Sequence, residues 1–250
     1  MSNICQIPAN NKTINNTLDE FHYFITADGT SDFKAEPGRY HLYASLACPW
    51  AHRTLIFRKL KKLEDMISLS IVDPVMDENG WMFSDGPHCI PDTVNHFKYL
   101  REVYMKAKND FKGRVTVPVL WDKQKQTIVN NESSEIIRMF NAEFNTCTDA
   151  TIDFYPEHLR NEIDQINHII FTSVNSGVYK AGFAEKQDDY NVAFDALFKT
   201  LDFIEERLSK KRYLVGNIIT EADWRLFTTL IRFDAVYYIH FKCSLYRMIN

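Results

Sequence analysis

The sequence predicts two domains in tandem, an α/β domain followed by an all-α one. Three observations predict it. A β-α-β pattern runs from Tyr40 to Ile71, and two later β-rich segments, Val115 to Trp121 and Thr127 to Asn130, lead into a helix start at Asn130-Asn131-Glu132-Ser133. From Pro156 onward the apolar residues recur with helical spacing only. With 250 residues, 45% of them apolar and 14% aromatic, the chain has material for two modest cores.

Residues 1–35 are rich in Asn, Asp and Thr and read as an N-terminal arm that lies along the surface or frays. The first domain, 36–145, opens with the strand Tyr40-His41-Leu42-Tyr43. Trp50 to Leu63 is amphipathic, with Ala51, Leu55, Ile56, Leu60 and Leu63 on one face, while Arg58, Lys59, Lys61 and Lys62 suit the negative end of a helix. Ile67, Leu69 and Ile71 alternate with Ser68 and Ser70, so a second strand follows, parallel to the first by the crossover rule. Residues 73–114 form an insertion, broken by Pro74, Gly80, Gly86, Pro87 and Pro91, with a short helix about His96 to Lys106. Pro118 gives no ladder N–H, so Val117-Pro118 marks an edge, a bulge or a cis bond. The linker spans residues 141–157.

The second domain, 158–250, carries two apolar stripes. Leu159, Ile163, Ile166, Ile170 and Val174 form one; Tyr190, Phe194, Leu197, Leu201, Ile204 and Leu208 form the other. These are core stripes. Thr220-Glu221-Ala222-Asp223 opens a further helix with a shortened capping box, and Gly216 suits the turn before it.

A net charge of −4 provides no basic field, which argues against nucleic acid or anionic membrane as a partner. No stretch is apolar and uncharged for the length of a membrane span. The five cysteines, Cys5, Cys48, Cys89, Cys147 and Cys243, are odd in number and far apart, as free thiols of a reducing, cytoplasmic compartment are. The eight histidines show no metal-ligand spacing, and His88-Cys89 with His96 is too loose for zinc.

Cys48 carries the chemistry. Pro49 is pre-set for the first helical position, so Cys48 falls at the N-cap, where unpaired backbone N–H groups and the helix dipole favour an anion. Cysteines so placed ionise at pH values of roughly 3.5 to 7.5 instead of about 8.5. The bland reading, a small buried hydrophobe, fits the strand-to-helix context less well. Ala51 stands where a second cysteine would complete Cys-x-x-Cys, so any disulfide formed by Cys48 needs an outside thiol to resolve it.

These features together resemble the glutathione transferase family. Tyr40-His41-Leu42-Tyr43, Cys48-Pro49-Trp50-Ala51, Gly80-Trp81, Gly113 to Asp122 and Glu132-Ser133-Ser134-Glu135 are similar, more narrowly, to the glutathionyl-hydroquinone reductases, the Xi class. The resemblance implies a thioredoxin-like N-terminal domain that binds glutathione and an all-helical domain that holds the acceptor. It makes Cys48 the nucleophile that takes the glutathionyl sulfur. Val117, beside a cis-Pro118, would pair its backbone with the cysteinyl part of glutathione. Glu132 would answer the ammonium of the γ-glutamyl end, and Ser133 with the helix amides its carboxylate. Trp81 and Arg114 would complete the wall, and Tyr179 would face an aromatic acceptor and donate to a phenolic oxygen.

The activity so implied is removal of glutathione from glutathionyl-hydroquinones, with glutathione as co-substrate, no metal, and a homodimer as the assembly. Two alternatives stay open: an Omega-like thiol transferase or dehydroascorbate reductase, and a non-catalytic glutathione-binding or interaction module. The family continues through further helices beyond the position of Asn250, so the resemblance also implies a shortened helical domain.

Overall fold

A computed structural model describes residues 21–148 and 151–249. The chain divides into two compact units, the first ending at Ile152 and the second beginning at Asp153. In the first, β1 (Ile25–Thr26) and β2 (Phe33–Lys34) form a short parallel pair. The main sheet contains β3 (Tyr40–Ala44), β4 (Ile67–Ile71), β5 (Val119–Asp122) and β6 (Thr127–Asn130) in the order β4-β3-β5-β6. β3 and β4 run parallel across the helix α1 (Pro49–Leu60), and β5 is antiparallel to both β3 and β6. The expected strand from Val115 is shorter than its sequence pattern: the ladder begins only after Pro118.

Successive strand residues face opposite sides, and the two sides are filled differently. Tyr43, Trp121 and Ile128 join Leu100, Val103 and Tyr104 of α2 (Leu100–Ala107). Tyr40 instead meets the edge of Phe144, just beyond α3 (Ser133–Ala142), which packs against α1. The helix α2 starts four residues later than expected. The Asp92 carboxylate takes the amide N–H groups of Val94, Asn95 and Phe97, and His96 has a φ of +57°, so the chain there is a turn held to β3 through Asp92 and the Tyr43 hydroxyl. Within the expected N-terminal arm, residues 1–20 lie outside the described residues, whereas Phe21, Ile25 and Phe33 are buried. Backbone bonds from Tyr23 N to Val129 O and from Asn131 N to Phe21 O hold that segment along β6.

Lys61 and Arg39 of the first unit are buried charged residues. Lys61, read as suiting the negative end of the helix, is the C-cap of α1, and its ammonium turns to side-chain and backbone acceptors, donating to Asn145 Oδ1 at 2.9 Å and Ile152 O at 2.6 Å. Arg39 donates through Nε and Nη2 to Asp122 Oδ2, and Asp122 Oδ1 accepts from the amides of Gln124 and Lys125. The ion pair closes the end of β3 opposite Cys48, since Tyr40 is in register with Asp122.

His41 is fully buried in β3, with Nδ1 2.7 Å from Ser68 Oγ and Nε2 3.0 Å from Ser70 Oγ. Ser70 donates to Pro91 O, so it accepts from His41 Nε2–H. Burial pushes the His41 pKa down to about 4, with Asp92 opposing and Lys123 and Arg58 reinforcing the shift. Because the unfolded chain binds the proton more tightly, this group's contribution is complete above the unfolded pKa near 6.5 and is lost as pH falls toward 4. It amounts to about 3 kcal/mol. Urea unfolding at pH 7 and pH 4 is expected to show that loss in the natural chain and a clearly smaller one in His41→Asn; equal losses would contradict it.

The second unit is helical: α4 (Arg160–Ile170), α5 (Gly177–Gly182), α6 (Gln187–Lys210), α7 (Glu221–Arg232) and α8 (Tyr238–His240). Both apolar stripes enter its core, except that Leu208, at the end of the second, lies exposed past the last core turn of α6; and the first does not lie on one continuous α-helix. A π turn at Phe171–Asn175 separates α4 from α5, and a second at Phe233–Tyr237 follows α7. Asp223 reaches back to the Thr220 amide at 2.8 Å, the shortened capping box read from the sequence, and Gly216 takes a φ of +62° in the turn before it. Cys243 is fully buried in this core, which pushes its thiol up to about 12. Iodoacetamide is therefore expected to leave Cys243 unmodified in the native protein, as read by peptide mass mapping; rapid native alkylation there would contradict its burial.

Candidate active site

The Cys48 turn grows out of β3. After buried Ser45, the exposed Leu46 and Ala47 lead to Cys48, the N-cap of α1, with extended backbone at φ −84° and ψ 120°. Pro49 follows at the first helical position, and the first turn carries no acidic residue to oppose an anion. The Cys48 amide donates to Ser45 O at 3.2 Å, and Cys48 O accepts from the His52 amide at 3.0 Å, so both backbone groups of the turn are used. The half-buried thiol points across to the segment just before β5, where it donates to Val117 O at 3.5 Å. The Val117–Pro118 peptide is cis. An apolar hollow of about 330 Å³ lies beside the same turn, walled by Leu46, Ala47, Ile71, Val72, Pro74, Pro87 and His88.

The Val117 segment is held by a residue that motif reading passed over. Tyr104, on α2, donates its hydroxyl to Thr116 O at 2.9 Å, and the same oxygen receives the Thr116 amide at 3.3 Å and Asn131 Nδ2 at 3.2 Å. One phenol thus joins the loop that carries Val117 to the loop that carries Glu132. Tyr104 belongs to the apolar face of α2, and nothing in its spacing distinguishes it from a packing residue.

Glu132 is the N-cap of α3. Its Oε1 accepts from the Ser134 amide at 2.8 Å and from Ser133 Oγ at 3.4 Å, leaving Oε2 outside those two bonds. Ser133 is buried, and its Oγ also accepts from Arg53 Nη1 at 3.4 Å. Arg53 itself is buried on α1, its guanidinium 4.5 Å from the centroid of the Trp50 ring. This cation at the start of α3 was missed by sequence reasoning; its one signal is an arginine within the first two turns of a helix otherwise buried at Ala51, Thr54 and Phe57. Helix amides, a serine hydroxyl and a guanidinium converge there, a combination that suits an anion such as a carboxylate.

The remaining expected residues fall in different places. Trp81 is buried in the same apolar cluster as Val117, against which Cys48 also packs, and its carbonyl accepts from the Leu100 amide at 2.9 Å. Gly80 precedes it at φ +94°, a conformation that allows the turn from Asp77 to deliver the indole inward. Arg114 is exposed on the loop before Val115. Tyr179 belongs to the second unit, half-buried on α5 among Phe183, Tyr237 and Phe241. Cys48 and Val117 are therefore brought together directly, Glu132 and Ser133 share one helix start, and Trp81 backs the first pair. Among the described residues no group of three or more His, Cys, Asp or Glu is gathered as a metal site requires, and no helix is long and apolar enough to cross a membrane.

Comparison with known proteins agrees with this arrangement. Residues 47–143 match the model of the glutathione S-transferase N-terminal domain, and residues 163–247 that of the C-terminal domain. The chain is 54% identical over 216 residues to glutathionyl-hydroquinone reductase PcpF of Sphingobium chlorophenolicum, covering 86% of this chain and 69% of the relative. Among solved structures it is similar to the glutathione transferase Xi of Phanerochaete chrysosporium, with 51% identity, a TM-score of 0.89, and coverage of 91% of this chain and 78% of the other. It is also similar to glutathione-bound YqjG of Escherichia coli K-12, with 53% identity, a TM-score of 0.88, and coverage of 91% and 76%. A thioredoxin-like domain with a cysteine at a helix start, followed by a helical domain, is thus found with matching sequence along both halves, and the chain belongs to the glutathione transferase family, among its Xi-class members.

Proposed function

We propose that the protein is a glutathione-dependent reductase that removes glutathione from glutathionyl-hydroquinones through a mixed disulfide on Cys48. The observation that carries this reading is the Cys48 thiol at the N-cap of α1, 3.5 Å from the Val117 carbonyl, with Ala51 in place of a resolving cysteine. Identity of 54% to a glutathionyl-hydroquinone reductase and likeness to a glutathione-bound structure support it.

In this reading residues 36–145 bind glutathione and residues 158–250 hold the acceptor. The cysteinyl backbone of glutathione pairs with Val117 beside Pro118, its ammonium meets Glu132, and its γ-glutamyl carboxylate meets Ser133 and the α3 amides, with the Arg53 charge behind them. Trp81 and Arg114 wall the tripeptide. The Cys48 thiolate attacks the glutathionyl sulfur of the ring in its keto tautomer; an S–S bond forms, the C–S bond breaks, and its electron pair passes through the ring to the carbonyl oxygen, which takes a proton and restores the hydroquinone. Tyr179 donates to the phenolic oxygen on which that charge develops. A second glutathione thiolate then attacks the mixed disulfide and leaves as oxidised glutathione, restoring Cys48. Overall, one aryl C–S bond and one thiol S–H are exchanged for one S–S and one aryl C–H: the ring is reduced and two glutathione sulfurs are oxidised. A reducing, cytoplasmic compartment and a homodimeric assembly complete the proposal.

Turnover of glutathionyl-menadiol, compared side by side with dehydroascorbate and a small glutathione mixed disulfide, tests the substrate class. The reading expects the aromatic conjugate to give the highest kcat/KM. Preference for dehydroascorbate or the small disulfide would move the assignment to an Omega-like thiol transferase, and binding without turnover of any of them to an interaction module.

A further inference from the structure

The second unit brings a second tyrosine hydroxyl to Tyr179. Tyr237 Oη lies 3.4 Å from Tyr179 Oη, and the two rings meet edge to face with centroids 5.8 Å apart at 66°. Phe241 presses on both, 5.3 Å from Tyr179 at 84° and 5.2 Å from Tyr237 at 85°. It can do so because Gly182 has no side chain: a Cβ there would collide with the Phe241 ring. Three rings thus fix the spacing of two hydroxyls.

Backbone geometry fixes it further. Tyr179 follows the first π turn by four residues, and Tyr237 closes the second. Asn175, the last residue of the first π turn, donates through Nδ2 to Arg225 O at 3.0 Å and to Thr229 Oγ1 at 2.7 Å, which ties that turn to α7, the helix running into the second. π turns inside helices re-aim the residues that follow and recur at functional sites. Here each one delivers a tyrosine to the same cluster.

The two tyrosines are not equivalent. Tyr237 is 1% exposed, whereas Tyr179 is half-buried. We propose that Tyr237 is a positioning residue for Tyr179: its buried O–H donates to Tyr179 Oη, which leaves the Tyr179 O–H aimed outward at the phenolic oxygen of the aromatic acceptor. The inference rests on the acceptor-facing role given to Tyr179 above. A separation of 3.4 Å is long for an O–H···O bond, and catalytic hydrogen bonds of unliganded sites commonly tighten when substrate arrives. The donated bond stabilises Tyr179 as its proton is drawn toward the developing phenolate, so its effect belongs to the reaction step and not to substrate binding.

Tyr237→Phe keeps the ring contacts with Tyr179, Phe233 and Phe241 and removes only the hydroxyl. With glutathionyl-menadiol as substrate, the variant is expected to lose about tenfold in kcat with KM within about twofold. The basic limb of its kcat profile should also move to higher pH, as expected of a phenol that has lost a donor. On a Tyr179→Phe background the same change should cost less than about twofold. An equal kcat loss in both backgrounds, or no loss in the natural one, would overturn the pairing while leaving Tyr179 in its role. Full activity of Tyr179→Phe would instead overturn the role of Tyr179 and the inference with it.

Discussion

Replacement of Cys48 by serine is expected to lower hydroquinone release from glutathionyl-menadiol by at least about a thousandfold. A serine hydroxyl at the same N-cap stays protonated and is a poor attacking group for sulfur, so neither the first exchange nor the mixed disulfide forms. Binding is expected to behave differently. The groups assigned to glutathione are Val117, Glu132, Ser133 and the α3 amides, none of which depends on Cys48 for its place: Tyr104 holds the Val117 loop, and Glu132 caps its own helix. Cys48→Ala should therefore bind glutathione within a few-fold of the natural chain, as measured by calorimetry. Parallel loss of binding and turnover would mean that the thiol is a structural part of the glutathione site and not only its nucleophile.

The second large effect concerns stability. Asp122→Ala is expected to cost about 3 to 5 kcal/mol, read as a lowered urea midpoint of Trp121 fluorescence. The carboxylate is fully buried and serves two Arg39 nitrogens and two backbone amides, and its removal leaves a buried guanidinium without its main counter-charge. The Arg39 pair sits at the start of β3 and Cys48 beyond its other end, so the chemistry of the folded fraction should be retained. A cost below about 1 kcal/mol would place Arg39 and Asp122 among the many ion pairs that contribute little.

The parts of this protein that could be read from sequence are those that depend on neighbours in the chain. Pro49 after Cys48 announced the helix start, alternation of Ile and Ser announced β4, and Thr220 with Asp223 announced α7, because caps and periodicity are local signals. Residues whose role depends on distant partners were not legible. Lys61 reads as a charge that suits the negative helix end, yet its ammonium is taken up by Asn145 and Ile152, about ninety positions away. Arg53 and Tyr104, which organise the proposed glutathione site, look like ordinary members of their helices until Ser133, Thr116 and Asn131 are seen beside them. The π turns escaped for another reason: Ile163, Ile166, Ile170 and Val174 keep a helical apolar rhythm through the point where the backbone gains a residue. Asp92 shortened α2 in the same unseen way, by offering its carboxylate to amides that a helix would otherwise have used.

The central claim is that glutathione passes through Cys48 as a mixed disulfide. Intact-protein mass spectrometry after mixing the reduced chain with excess glutathionyl-menadiol, in the absence of free glutathione, tests it most directly. The account predicts a mass increase of one glutathionyl group, mapped to Cys48, formed together with one equivalent of menadiol and discharged when glutathione is added. Release of menadiol with no adduct on Cys48, or an adduct placed on Cys89 or Cys147 instead, would contradict it.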